Sequence, residues 1–404
     1  MIKISAVEIF NYRSCLSTKV DLSKNLMCLI GINGAGKTNI LNAILLLKKT
    51  RSSKLNYQTQ SEPIQGASTK ISIRCTYDEK PVNINFELKY ETDDKNHDEV
   101  LGGKVKFNLK AISGKNRWLE LPIEFYNYLD NQSFIGVLLR QKAHQKNKPT
   151  EKEIQIIADF RRCLQKISYY SASQFSDPSK SPISLELDEA KPTRQYRNSP
   201  FHEKFLHDLY ITSKNDENLF AKYLNTVNRM GMGIIDNIAF SEYEMPSSSY
   251  EVKSGGKIKK IEKNRKLVIP YINIENTQLS PNQLSEGTYR TLALAFYIIT
   301  DDNDLLIIEE PEVCVHHGLL DSIISLIEMQ AKNKQIIIST HSDFILDKLM
   351  PENILIVKKS PNIGTTCSNL AKSLTRNDYK ALKKYLAESG NLGEYWKEGG
   401  FEHE

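Results

Sequence analysis

Cysteine pairs, long apolar runs and a strong excess of one charge are all missing from this sequence. The six cysteines, at positions 15, 28, 75, 163, 314 and 367, include no CxxC pair, which argues against a zinc site or a disulfide framework. The longest apolar run, Thr291–Thr300, is about half as long as a helix that crosses a bilayer, and the N-terminus lacks the apolar stretch of a signal peptide. These absences predict a cytoplasmic protein with reduced thiols and no membrane contact.

Charge and composition leave the choice of partner open. The net charge is +5, from 54 basic and 49 acidic residues, which permits contact with nucleic acid without requiring it. Hydrophobic residues make up 40% of the 404 positions, as in an ordinary soluble protein with a large core. At this length we expect one α/β core with an inserted lobe.

The most specific motif is the run GINGAGKT at residues 31–38, which follows the apolar residues 26–30 and precedes the helical pattern 39–47. This order of strand, glycine-rich loop and helix matches GxxxxGK[ST], in which backbone N–H groups and a helix N-terminus surround a phosphate. Lys37 suits the β- and γ-phosphates, and the Thr38 hydroxyl suits Mg²⁺. The run therefore predicts a nucleoside triphosphate site rather than an incidental glycine turn. Its predicted residues are Asn33, Gly34, Ala35, Gly36, Lys37, Thr38 and Asn39.

Two carboxylates and a histidine follow predicted strands later in the chain. The apolar segment 304–308 ends in Glu309 and Glu310, and the segment 335–339 is followed closely by His341. Ligands of α/β proteins bind at the carboxyl ends of parallel strands. We therefore predict that Glu309 holds Mg²⁺ through water and that Glu310 polarises the attacking water.

A second anion site is predicted at Ser285 and Gly287, because they stand at the N-terminus of the helical segment 291–300. Arg13, in the tight turn 11–14, is close in sequence to the phosphate loop and is expected to lie near the nucleotide. The alternative for Arg13 is a solvated turn residue.

Gln174 follows the predicted strand 166–171, and a glutamine just beyond a strand end can reach Mg²⁺ or the attacking water. Gln58, Gln60 and Gln65 compete for this role.

A basic hairpin is predicted around the turn Ser254–Lys257. It would bind a nucleic-acid backbone or an acidic partner, or would simply be a solvated ribbon. The basic residues concerned are Lys253, Lys257, Lys259, Lys260, Lys263, Arg265 and Lys266.

The pattern of predicted elements indicates an α/β fold: a P-loop core with an antiparallel β lobe over residues 71–112 and a helical lobe over residues 200–230. We divide the chain into an N-terminal ATPase lobe at 1–175, a helical lobe with the basic hairpin at 176–280 and a C-terminal ATPase lobe at 281–404.

In their order and spacing these motifs resemble those of ABC-type ATPases of the RecF, SMC and OLD group, in particular the small stand-alone ATPases of prokaryotic operons classed as AAA15 or AAA21. The resemblance implies a head-to-tail ATP sandwich, in which the P-loop of one subunit and Ser285 of the other hold the same γ-phosphate. The matching motifs are an arginine turn at Asn11–Arg13, a Walker A motif at 31–38, a signature at Leu284–Arg290, a Walker B motif at Ile307–Glu312 and a switch histidine at His341.

The sequence departs from the transporter pattern, because its signature is LSEG rather than LSGGQ and Glu309 stands where aspartate is commoner. Both departures favour the DNA-repair and defence branch. His316 and His317 fall where a D-loop would stand. No heptad-bearing segment separates Leu47 from Leu284, which excludes an SMC arm, and no Toprim-like acidic strand motif follows His341. Any nucleic-acid cleavage is therefore expected from a partner.

The leading interpretation is an ATP-hydrolysing dimeric sensor or switch that acts with a separately encoded nuclease or toxin from the same operon in anti-phage defence. One alternative is a RecF-like DNA-binding repair ATPase. Another is a scaffold that binds ATP and hydrolyses it negligibly.

Overall fold

The computed structural model describes residues 2–49, 69–77, 80–93, 96–108, 118–122, 135–136, 150–188, 199–252, 258–388 and 390–397. The competing glutamines at 58, 60 and 65 lie outside these residues, as do Lys253 and the turn Ser254–Lys257. Within the described ranges, every helix is too short or too polar to span a lipid bilayer.

The strands are β1 (Ile2–Tyr12), β2 (Cys15–Asp21), β3 (Leu26–Ile30), β4 (Thr69–Tyr77), β5 (Lys80–Asp93), β6 (Asn96–Asn108), β7 (Trp118–Pro122), β8 (Ile167–Ser171), β9 (Leu185–Asp188), β10 (Asn237–Val252), β11 (Ile258–Ile274), β12 (Thr277–Leu279), β13 (Leu305–Glu309), β14 (Gln335–Thr340), β15 (Ile354–Ser360) and β16 (Gly364–Asn369).

The helices are α1 (Lys37–Lys49), α2 (Glu151–Gln165), α3 (Phe201–Asn215), α4 (Glu217–Val227), α5 (Glu286–Thr300), α6 (His317–Gln330), α7 (Asp343–Asp347), α8 (Leu370–Ser373), α9 (Arg376–Ala387) and α10 (Leu392–Lys397). Short 3-10 turns include Ala172–Phe175, directly after β8.

The first compact unit comprises residues 1–169, 302–310 and 331–404. Its central sheet has the strand order β16-β15-β3-β14-β13-β8, and β13, β14, β3 and β15 run parallel. Every residue of β3, β13 and β14 is buried, as expected for parallel strands that are covered on both faces. The carboxyl ends of β3, β13 and β14 therefore meet at one edge, which carries the phosphate loop, Glu309 and His341.

The second sheet of this unit is antiparallel, in the order β2-β1-β4-β5-β6-β7. It is the predicted β lobe, and it shares one buried core with α1, α2 and the parallel strands. The sequence pattern predicts a helix over residues 150–165, and α2 spans Glu151–Gln165. It begins there because Thr150 and Glu153 form a capping box in which each side chain accepts the other's backbone N–H.

The second compact unit comprises residues 170–301 and 311–330. Helices α3 and α4 confirm the predicted helical lobe. The unit also contains the sheet of β9, β10, β11 and β12, in which β10 and β11 form one long antiparallel ribbon. The prolines and polar residues of the segment 177–199 predict a loop or linker. This prediction is wrong at β9, which pairs with β11 between Asp188 and Arg265 and between Leu185 and Val268. A four-residue strand is too short for its alternation to be recognised in a polar segment.

This division differs from the three predicted segments. Strands β13, β14 and β15 complete the parallel sheet around β3, so most of the C-terminal segment joins the phosphate loop in one unit. Helix α5, by contrast, lies in the second unit, where Tyr223 donates a hydrogen bond to the Leu292 carbonyl at 3.1 Å.

Candidate nucleotide-binding and hydrolysis site

The glycine-rich loop closes around the side chain of Lys37. Strand β3 ends at Ile30 and α1 begins at Lys37, as predicted. The Lys37 ammonium donates to the carbonyl oxygens of Gly31 at 2.6 Å and Ile32 at 3.3 Å, and the residue is only 6% exposed. The cation is thus held inside the loop, where weaker solvent screening strengthens its attraction for a phosphate.

Two positions in the loop require glycine. Gly34 and Gly36 have φ angles of +81° and +105°, a region in which a Cβ is strained. At Gly36 a Cβ would also lie 2.2 Å from Oγ1 of Thr365. Asn33 is exposed and Ala35 is buried.

Thr365, on β16, fastens the loop to the turn between β1 and β2. Its Oγ1 lies 3.1 Å from the Ala35 carbonyl oxygen and 2.8 Å from the Ser14 hydroxyl, and its backbone N–H donates to the Ser14 carbonyl at 2.7 Å. Thr365 is fully buried. This residue was not predicted from the sequence, because a threonine 330 positions from Ala35 gives no local signal.

Asn39, in the first turn of α1, contacts both Arg13 and Ser14 of the turn between β1 and β2. Arg13 Nη1 is 3.4 Å from Asn39 Oδ1, and Asn39 Nδ2 donates to Ser14 Oγ at 2.7 Å. Arg13 itself has a φ of +51°, in the left-handed region. The structure therefore brings the arginine turn against the first turn of α1, next to the phosphate loop.

Thr38 and Glu309, the two residues predicted to hold Mg²⁺, are in direct contact. Thr38 donates its hydroxyl proton to Glu309 Oε1 at 2.6 Å, and the Tyr169 hydroxyl donates to Glu309 Oε2. A hydroxyl that donates its proton to a carboxylate keeps its lone pairs for a cation, and both groups are hard oxygen ligands of the kind that Mg²⁺ prefers. The pair therefore fits Mg²⁺. Tyr169 was not predicted.

No cluster of three acidic, histidine or cysteine side chains suited to a metal occurs in the described part of the chain.

Glu310 and His341 form an accessible pair at the ends of neighbouring strands. Glu310 has a φ of +50°, and its N–H donates to the Ser339 carbonyl at 2.8 Å, which turns the chain out of the sheet directly after β13. Its Oε1 lies 3.7 Å from Nδ1 of His341, and the two side chains are 39% and 44% exposed. The pair is thus open to water, whereas the neighbouring Glu309 is 9% exposed.

Ser285 and Gly287 belong to the second unit, at the N-terminus of α5 as predicted. Ser285 is the exposed N-cap, and its Oγ accepts from the Thr288 N–H at 3.2 Å. A Cβ at Gly287 would lie 2.6 Å from the Cys314 carbonyl oxygen, so the loop after Glu310 packs closely on this helix end. Arg290 adds a hydrogen bond to the Val313 carbonyl at 3.2 Å.

Gln174 also lies in the second unit, in the 3-10 turn after β8. Its Oε1 accepts from the Ser171 N–H at 3.2 Å, and this capping box engages the carboxamide within its own turn. Thr38 and Glu309 belong to the first unit. The predicted role of Gln174 at Mg²⁺ therefore stays a prediction.

Strand β3, the phosphate loop, α1 and the acidic ends of the adjacent parallel strands define the class: an α/β P-loop nucleoside triphosphatase of the ABC type. Residues 2–346 match the family described as AAA ATPase domain, AAA_15, and the chain belongs to that family. It is accordingly a nucleotide-binding ATPase, which confirms the class predicted from the motifs.

Two curated relatives match a shorter stretch. The DNA replication and repair protein RecF of Lactococcus lactis subsp. cremoris, strain MG1363, is 30% identical over 97 residues, which are 24% of this chain and 27% of the relative. The RecF protein of strain SK11 gives the same values. The chain spans about a quarter of the length of these relatives.

Among solved structures, the SMC head domain from Thermotoga maritima is similar at 11% identity and a TM-score of 0.44, over 91% of this chain and 98% of that one. A second similar structure is the Smc head domain with an extended coiled coil bound to the C-terminal domain of ScpA, derived from Pyrococcus furiosus. It has 15% identity and a TM-score of 0.46, over 95% of this chain and 99% of that one.

Proposed function

We propose that this ATPase hydrolyses ATP with Glu310 as the group that polarises the attacking water. The observation that carries the proposal is the accessible pair of Glu310 and His341, one residue beyond the buried Glu309 that contacts Thr38. A carboxylate beside an imidazole supplies an acceptor for a water proton and a group that orients that acceptor. The N–H groups of the phosphate loop and the Lys37 ammonium would bind the phosphates.

Thr38 and Glu309 would hold Mg²⁺, the former directly and the latter through water. The chemistry that Mg²⁺ would supply there is partial neutralisation of the negative charge on the phosphates. Arg13 and Asn39 would add donors beside the loop, and Gln174 is proposed to approach the cation or the water.

We further propose a head-to-tail dimer, in which Ser285 and Gly287 of one copy face the phosphate loop of another. An exposed hydroxyl at the N-terminus of a 15-residue helix supports this role, because the free N–H groups and the positive end of the helix dipole favour an anion. ATP would close the dimer and hydrolysis would release it. The resemblance to stand-alone operon ATPases supports a separately encoded nuclease or toxin as the effector, with a role in anti-phage defence.

Glu310→Gln tests the hydrolytic role, because it keeps the shape of the side chain and removes the proton acceptor. We expect ATP turnover to fall about 100-fold or more. Bound ATP should then persist and yield a long-lived closed dimer. The matched control is Glu328→Gln, an exposed glutamate on α6, which should turn over ATP at the parent rate. Hydrolysis by Glu310→Gln at the parent rate would show that another residue polarises the water.

Ser285→Arg tests the dimer, since it places a bulky side chain where the γ-phosphate would dock. Distances between spin labels on two copies should shorten with ATP and Mg²⁺ in the Glu310→Gln background and should stay long when Ser285→Arg is added. Ser325→Arg, at an exposed serine of α6, is the control and should close normally. Normal closure of Ser285→Arg would mean that the site is complete within one chain.

DNA binding is a second candidate function, and the ribbon of β10 and β11 supports it. The strands have 16 and 17 residues and pair continuously from Asn237 and Asn273 to Val252 and Ile258, so the ribbon is about 50 Å long at ~3.3 Å per residue. Lys259, Lys263 and Arg265 follow one another along β11 at spacings of four and two residues. The partial relatives, moreover, carry the name of a DNA replication and repair protein.

Replacing Lys257, Lys259 and Lys260 by Glu tests this candidate. DNA affinity should fall and its salt dependence should flatten by roughly one slope unit for each phosphate that the ribbon no longer neutralises. The control makes the same change of charge at exposed lysines elsewhere: Lys332, Lys380 and Lys384. An unchanged salt slope would remove the ribbon from DNA binding and leave the acidic-partner interpretation.

The defence role is tested in cells with the neighbouring genes present. Lys37→Ala in the intact operon should abolish protection against phage while the protein remains folded. Protection that persists without nucleotide binding would contradict the gated switch. Tight ATP binding with turnover near zero would instead favour the scaffold.

A further inference from the structure

Glu309 is held by two hydroxyl groups, one on each carboxylate oxygen. Thr38 donates to Oε1 from the start of α1, and Tyr169 donates to Oε2 from β8. Tyr169 packs against the buried core of the first unit, so its ring is fixed by its surroundings. The carboxylate thus lies between the Thr38 hydroxyl, at the phosphate loop, and the Tyr169 hydroxyl, on the opposite side of β13.

A second hydrogen bond restricts the conformations of a glutamate side chain. Glutamate has one more rotatable bond than the aspartate that is commoner at this position of ABC-type ATPases, and an unanchored side chain would lose more conformational entropy on ordering. A donor on Oε2 removes that freedom before a ligand binds. It leaves Oε1 directed at Thr38, the other residue proposed to hold the cation.

We propose that Tyr169 is a positioning residue that orients Glu309 and thereby sets the affinity of the site for Mg²⁺. This inference rests on the proposed metal role of Thr38 and Glu309. Tyr169 acts on Glu309 and does not itself touch the nucleotide or the cation.

The strand supplies its own control. Tyr170, the next residue, donates its hydroxyl to Asp301 at 3.1 Å and stacks on Tyr297 with ring centroids 4.5 Å apart, both within the second unit. Tyr169→Phe and Tyr170→Phe therefore delete the same group from adjacent positions of β8. Only the first change releases Glu309.

The experiment measures the binding of Mn²⁺, a paramagnetic substitute for Mg²⁺, to protein saturated with a non-hydrolysable ATP analogue. Bound Mn²⁺ is quantified from the loss of the electron paramagnetic resonance signal of the free ion. Tyr169→Phe should weaken Mn²⁺ binding about tenfold, the lower end of the 10–100-fold range typical of outer-shell partners in metal sites, because Glu309 is proposed to act through water. Affinity for the analogue in EDTA and the melting temperature should match those of Tyr170→Phe, which should bind Mn²⁺ like the parent.

Glu309→Gln separates the inference from the proposal on which it rests. If Glu309→Gln weakens Mn²⁺ binding and Tyr169→Phe does not, Tyr169 has no positioning role although the metal site stands. If Glu309→Gln itself binds Mn²⁺ like the parent, the metal role of Glu309 is wrong and the inference falls with it. In the double variant Tyr169→Phe should add nothing to Glu309→Gln, because its effect passes through that carboxylate. An additive loss would refute the proposed route.

Discussion

Thr365→Val is the substitution that best tests how the phosphate loop is held. The two side chains have nearly the same volume, so the buried core stays filled, while valine has no hydroxyl to bond the Ala35 carbonyl and the Ser14 hydroxyl. A buried carbonyl left without a donor costs about 1–3 kcal/mol. We therefore expect the free energy of unfolding to fall by about that amount.

The effect on ATP binding follows from how the loop responds. The loop of the variant can move so that water reaches the Ala35 carbonyl. ATP binding must then reverse that movement, and affinity falls by up to tenfold for each ~1.4 kcal/mol that the reversal costs. Denaturant unfolding and titration with a fluorescent ATP analogue measure the two quantities. Thr366→Val is the control, because Thr366 is exposed and its hydroxyl lies 3.4 Å from the Lys358 carbonyl, away from the loop. If Thr365→Val unfolds and binds ATP like Thr366→Val, Thr365 does not hold the loop.

Three further predictions concern Lys37 in the phosphate loop and the thiols of Cys163 and Cys314. Lys37→Ala should abolish binding of the fluorescent ATP analogue without unfolding the chain, because it removes the cation that Gly31 and Ile32 hold in the loop; unchanged affinity would remove the phosphate-site assignment. Burial raises the pKa of the Cys163 thiol from 9.0 to about 12, so the free energy of unfolding should decrease as the pH rises from 9.0 towards 12, and Cys163→Ala should reduce that decrease. In native protein a thiol reagent should label the exposed Cys314 before the buried Cys163; equal rates would show that Cys163 is accessible.

In the second unit, the sequence predicted that the helices form. It did not predict which residues pack against them. Helix α5 is buried from Tyr289 to Ile299, and the apolar run in the sequence indicated as much. That Phe175 stacks on Tyr297 at 5.8 Å, directly beside Gln174, was not visible in the sequence. Periodicity reports that a face is buried and carries no information about which residue covers it.

Local sequence was enough to identify the phosphate loop, the strand-end acids and the histidine after β14. The glycines, Lys37 and Thr38 are nearly consecutive, and an apolar strand followed by Glu309 and Glu310 needs no distant partner to be recognised. Thr365 and Tyr169, by contrast, reach the site only through the folded chain, across separations of 330 residues to Ala35 and 140 residues to Glu309. Their placement depends on the strand order β16-β15-β3-β14-β13-β8, which side-chain packing across the whole sheet selects and no local pattern specifies.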